Sequence, residues 1–186
     1  MTPRANVGGG ERLRLFLALR LPDDVLDVVT AWQPHALFGP RLRALPREHL
    51  HVTLAFLGHR PAEELPAILG ELRAAAGDAR RPVLRVVGYR ETRSVGMLVL
   101  DDDGRHAIRL AGDIHDRLEA LGVYRRERRP WLPHLTVVRF RERPRLRPEL
   151  SGLGEAFSPS EAAAYLSRLH PSGARYEVLD SVALGG

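Results

Sequence analysis

His51-Val52-Thr53-Leu54 and His134-Leu135-Thr136-Val137 are two copies of one tetrapeptide pattern, each set in an apolar run, residues 50–57 around the first and 131–140 around the second. Runs of this length and composition read as buried strands. Side chains on a strand alternate between faces, so His51 and Thr53 share one face and Val52 and Leu54 the other; His134 and Thr136 repeat the arrangement. Two such strands build a pocket of approximate two-fold character with two imidazoles and two hydroxyls. A lone histidine on a strand commonly just satisfies one hydrogen bond. The recurrence of His, Thr and apolar flanks together points to function.

The 186 residues suffice for one good-sized core, and one domain, bilobed, is expected over residues 12–186. Residues 1–11 include Gly8-Gly9-Gly10 and carry no apolar pattern, so they read as a disordered leader. No stretch is apolar for the length a bilayer requires, and no secretory pattern opens the chain. A monomeric, cytoplasmic protein with no membrane partner is expected.

Cysteine is absent, which removes disulfides, thiol nucleophiles and thiolate metal sites. All 28 basic residues are arginine, so Schiff-base lysines, adenylated lysines and phosphate-loop lysines are excluded as well. The net charge of +5 favours an anionic partner, although a chain with one Asn, one Gln and no lysine also carries a compositional bias.

Outward from the motifs, residues 13–21 read as a strand, followed by a helix that starts at Pro22-Asp23-Asp24. Residues 42–45 suggest a short strand, and Pro46-Arg47-Glu48 a turn into the first motif. A second helix is expected over residues 61–76, strands over 83–89 and 97–100, and a third helix from Ile108 to Leu121, ended by Gly122. Asp101-Asp102-Asp103-Gly104 reads as a turn with an acidic helix cap. Arg125, Arg126, Arg128 and Arg129 form a basic run just ahead of the second motif, either a solvated loop or a contact for RNA phosphates. Residue preferences alone make 160–169 a helix, with its Glu161-Ala162-Ala163-Ala164.

These blocks resemble the 2H phosphoesterases, and within them the RNA 2′,3′-cyclic phosphodiesterases once called 2′-5′ RNA ligases. The resemblance rests on Arg14-Leu15-Phe16, on His49 through Gly58 and on Pro133 through Arg139, with Ser167-Arg168-Leu169, Pro171, Gly173 and Tyr176 near the end. It implies an α+β fold, bilobal, with two antiparallel sheets facing a central cleft, helices outside and one His-x-Thr-x strand in each lobe. It also implies a strand, not a helix, ahead of the C-terminal hairpin. The family roles fall on His51 as proton donor and His134 as proton acceptor. Thr53, Thr136 and Arg139 become phosphate ligands and Phe16 a further RNA contact. Simple alternation places Arg139 on the face opposite His134, so a bulge or twist must bring it to the cleft.

The chemistry suits the residues. Opening a 2′,3′-cyclic phosphate at an RNA end requires a base for the attacking water and an acid for the leaving ribose oxygen. Imidazole serves as either near neutral pH, with no metal or other cofactor required. The product implied is a 2′-phosphomonoester, with 2′-5′ ligation as the reverse reaction. Other readings are a phosphodiesterase for a different cyclic phosphate or small nucleotide, a non-catalytic RNA-end binder, and a metal site begun by His49 and His51.

Overall fold

The computed structural model describes residues 10–171 and 173–185. Of the expected leader, only Gly10 and Glu11 fall among them; the Glu11 carbonyl accepts the Ala62 amide at 2.9 Å. Eleven helices and strands follow in order among the described residues: β1 (Arg12–Arg20), α1 (Asp23–Ala36), β2 (Arg43–Ala44), β3 (Val52–Pro61), α2 (Leu65–Asp78), β4 (Val83–Glu91), β5 (Val95–Asp103), α3 (His106–Ala120), β6 (His134–Arg139), β7 (Glu161–His170) and β8 (Gly173–Ala183).

The strands form two four-stranded antiparallel sheets, β3-β1-β7-β8 and β2-β6-β5-β4. This is the α+β arrangement expected, with β3 in one sheet and β6 in the other. β1 alternates cleanly: Leu15, Leu17 and Leu19 enter the main core with Ile68 and Leu72 of α2 and Ile114 and Leu118 of α3, while Phe16 and Ala18 face the other way. Among the described residues no helix is long and apolar enough to cross a membrane.

Several boundaries depart from the sequence expectations for local reasons. α2 starts at Leu65, after a 3-10 turn over Ala62–Glu64, because Pro66 is tolerated only within the first turn of a helix. β6 begins at His134, since Pro133 has no amide for the ladder. His51 precedes β3, because its partner β1 runs out of pairing at Leu19↔Val52. Asp101 to Asp103 extend β5 rather than turning, yet Asp102 does cap α3, accepting from the amides of Ala107 at 3.2 Å and Ile108 at 2.8 Å.

Residues 161–170 are a strand, against their helical preference. β7 is a central strand between β1 and β8, and Ala162, Ala163 and Ala164 are 0 to 2% exposed. Small side chains let that strand lie close to layers on both faces, and tertiary packing overrides propensity.

Candidate active site

The two motif strands share a defect in their pairing. On β3, Ala18 faces Thr53 but Leu17 faces Ala55, so Leu54 is an extra residue. On β6, Met97 faces Thr136 but Gly96 faces Val138, so Val137 is extra. Each bulge lies directly after the threonine of its motif and shifts the alternation by one. Leu54 and Ala55 are both buried, as are Val137 and Val138, and the next residues, Phe56 and Arg139, are exposed. Arg139 thereby joins the face of Thr136, and Phe56 occupies the matching slot beside Thr53. Both line one cavity of about 380 Å³ together with His51, Thr53 and Thr136.

A buried side chain from a helix holds each bulge. Gln33 of α1, 3% exposed, donates its amide to the carbonyls of Val137 at 2.9 Å and Leu45 at 3.0 Å. His115 of α3, 5% exposed, donates Nε2–H to the Leu54 carbonyl at 2.8 Å. A carbonyl only accepts, so this bond fixes the hydrogen on Nε2, and burial pushes the His115 pKa down, favouring the neutral ring. Without these donors, buried carbonyls at the bulges would lose hydrogen bonds.

The catalytic candidates are tethered alike. His134 Nδ1 donates to the carbonyl of Leu132 at 2.8 Å, which leaves the Nε2 lone pair of the neutral ring as a proton acceptor. His51 is hydrogen-bonded to the carbonyl of His49, again two residues back. His134 does not itself line the cavity, but it is close enough for its charge to act on His51.

His51 lies on an aromatic floor contributed by three strands. Its ring stacks on Phe16 at 4.8 Å and lies 5.9 Å from Tyr165 and 5.6 Å from Tyr176. Burial against these rings, and then the charges of His49, His134 and Arg139, outweigh the carbonyl tether and push the His51 pKa down to about 4. Phe16 is 3% exposed and packs against His51, Tyr165 and Tyr176, so little of its ring is open to a ligand. His49 packs its ring against Tyr176 at 4.4 Å. Among the described residues no cluster of three His, Cys, Asp or Glu side chains is arranged to hold a metal ion.

The basic run lies elsewhere. Arg125, Arg126, Arg128 and Arg129 do not line the cavity, and Arg126 is tied back to α3 through Asp116 at 2.6 Å and the Gly112 carbonyl at 3.1 Å. The cavity instead carries Arg14, Arg43 and Arg139 and, among the described residues, no acidic side chain. The Arg14 guanidinium lies 4.8 Å from the centre of the Phe56 ring and donates to Ser167 Oγ at 2.6 Å. Sequence reasoning gave no role to Arg14, Arg43, Phe56, Tyr165 or Tyr176. Their pairing partners are distant in sequence, and Arg14 and Tyr176 entered the sequence reading only as matches to the family blocks.

Residues 21–170 match the family described as the 2′-5′ RNA ligase superfamily. An RNA 2′,3′-cyclic phosphodiesterase of Thermus thermophilus is 33% identical over 186 residues, spanning 94% of this chain and 91% of the relative. A solved structure from the same organism superposes with a TM-score of 0.78 at 32% identity, covering 94% of this chain and 99% of that one. Escherichia coli LigT complexed with NADP+ gives 0.76 at 27% identity, covering 95% and 99%. Fold and relatives together define a 2H phosphoesterase, a hydrolase of the phosphodiesterase kind. Within that class, the chain belongs to the 2′-5′ RNA ligase superfamily.

Proposed function

We propose that this protein hydrolyses RNA 2′,3′-cyclic phosphate ends to 2′-phosphomonoesters, with His51 and His134 as the acid and base. The observation that carries the reading is the paired construction: His51, Thr53, Thr136 and the bulge-delivered Arg139 line one cleft with no acidic side chain among the described residues, and His134 lies close enough for its charge to act on His51. The names of the relatives supply the substrate class.

Water attacks phosphorus, the P–O3′ bond breaks, and the phosphate remains on O2′. His134 Nε2 takes the proton of the water and His51 delivers one to O3′. Thr53 and Thr136 donate to the non-bridging oxygens, and the Arg139 guanidinium balances the charge that develops on them. No step is assigned to a metal. The low pKa of His51 fits this scheme once substrate is included. An anionic phosphate arriving beside the ring favours its charged form, so the proton enters with the substrate.

Incubating the chelator-treated protein with a short RNA ending in 2′,3′-cyclic phosphate, and resolving the products by phosphorus NMR, tests the reading. A 2′-phosphate is expected. A predominant 3′-phosphate would reverse the roles of the two histidines, and an untouched ester would overturn the proposal. Activity abolished by EDTA and restored by zinc would overturn the metal-free scheme.

A further inference from the structure

The cleft holds more fixed positive charge than one cyclic phosphate, a monoanion, calls for. Arg43 on β2 faces Arg139 on β6 directly across the ladder, so the two side chains share a sheet face on neighbouring strands. Both are exposed, both line the cavity, and among the described residues no carboxylate lines it with them. Like charges placed opposite one another on a sheet repel, and an anion between them relieves the repulsion.

The Arg43 side chain also reaches the first sheet. A side chain at Gly173, at the start of β8, would collide with the Arg43 guanidinium, so glycine there leaves room for an arginine reaching across from the second sheet. The φ of +126° at Gly173 suits that residue as well. Arg43 lies on β2, the edge strand one step out from the motif strand β6 that carries Arg139, and the charges of both arginines act on His49.

We propose that Arg43 is the subsite for the phosphodiester that joins the terminal nucleotide to the rest of the RNA, with Arg139 serving the cyclic phosphate itself. This inference rests on the reading of the protein as an RNA-end phosphodiesterase. The chain's backbone contact then lies inside the cleft, on β2. The guanidinium offers a planar fork to two non-bridging oxygens, a geometry that a lysine would not reproduce.

The test compares a dinucleotide ending in 2′,3′-cyclic phosphate with the corresponding cyclic mononucleotide, which lacks the second phosphodiester. In the Arg43→Ala variant, kcat/KM for the dinucleotide is expected to fall about tenfold or more, mostly through KM, and to change less than about twofold for the mononucleotide. Arg43→Lys should recover part of the loss, and Arg128→Ala, outside the cleft, should match the parent protein. A dinucleotide whose internal linkage is a neutral methylphosphonate should lose the same factor with the parent protein and nothing further with Arg43→Ala.

Equal losses on both substrates, no loss on either, or a methylphosphonate effect that persists without Arg43 would each overturn the subsite. If the parent protein turned over neither substrate, the activity reading would fall instead. Calorimetric binding of a dinucleotide 2′-phosphate and a mononucleotide 2′-phosphate would then carry the same comparison, and equal affinity of Arg43→Ala and parent protein for the dinucleotide would overturn the subsite too.

Discussion

The Trp131 indole donates its Nε1–H to the main-chain carbonyl of Thr53 at 3.0 Å, so the segment leading into the second motif is bonded to the backbone of the first. β3 is the outer strand of its sheet, and this bond, with that from His115 to Leu54, occupies successive carbonyls on its open edge.

The Trp131 bond bears on rate. Trp131→Phe keeps an aromatic ring but removes the donor, and about tenfold lower kcat is expected, because small displacements of paired catalytic groups are costly. Circular dichroism should show the fold retained. Unchanged kcat in a folded Trp131→Phe would mean that the bond does not set the spacing of the two motifs.

Gln33→Leu removes donors from two buried carbonyls, of which that of Val137 keeps another partner, the Leu45 amide at 2.9 Å. A loss of about 1–3 kcal/mol in urea unfolding is expected. Because the Val137 bulge brings Arg139 to the cleft, KM should rise as well. In an Arg139→Ala background, Gln33→Leu should raise KM no further; fully additive effects would separate the clamp from the arginine.

His51→Ala and His134→Ala should each lower turnover about 100-fold or more. Thr53→Ala and Thr136→Ala should cost less individually, since each removes one hydrogen bond among several. Steady-state kinetics on a cyclic-phosphate dinucleotide would resolve the ranking, and full activity in either histidine variant would remove that residue from the mechanism.

The pH dependence follows from the cleft around His51. Its pKa of about 4 in the folded protein lies below the ordinary 6.5, so the unfolded chain binds the proton more readily. The stability contributed by the neutral ring is full above pH 6.5 and is lost as pH falls towards 4. His51→Phe, which keeps an aromatic on the floor and cannot charge, should be inactive yet melt at a higher temperature than the parent protein at about pH 5. Turnover needs His51 charged and His134 neutral at once, so kcat/KM is expected to fall on both the acid and the alkaline side of an optimum. A kcat/KM that did not decline on the alkaline side would assign the acid role elsewhere.

The helices and most strands were legible because their signals are local: Asp23 and Asp24 open α1, and Leu65, Ile68, Leu69 and Leu72 recur at helical spacing on α2. His51, Thr53, His134 and Thr136 were legible as candidates for the same reason. The facing of Arg139 was not, because its bulge exists only in the pairing of β6 with β5. Preference failed outright at Ala162, Ala163 and Ala164, where helix-favouring residues serve as thin spacers in a central strand. The aromatic floor assembles Phe16, Tyr165 and Tyr176 from β1, β7 and β8, and no short stretch of sequence carries that information.

The paired bulges have one more consequence. They create two equivalent positions, each five residues after a motif histidine, and fill one with a phenyl ring and the other with a guanidinium. Imidazoles and hydroxyls repeated in both halves leave an incoming ester free to lie in either direction, so by themselves they specify a reaction but no polarity. Phe56 and Arg139 break that degeneracy. On the proposed reading this difference bears on which ribose oxygen departs, and exchanging the two, Phe56→Arg with Arg139→Phe, is expected to change the ratio of 2′- to 3′-phosphate products.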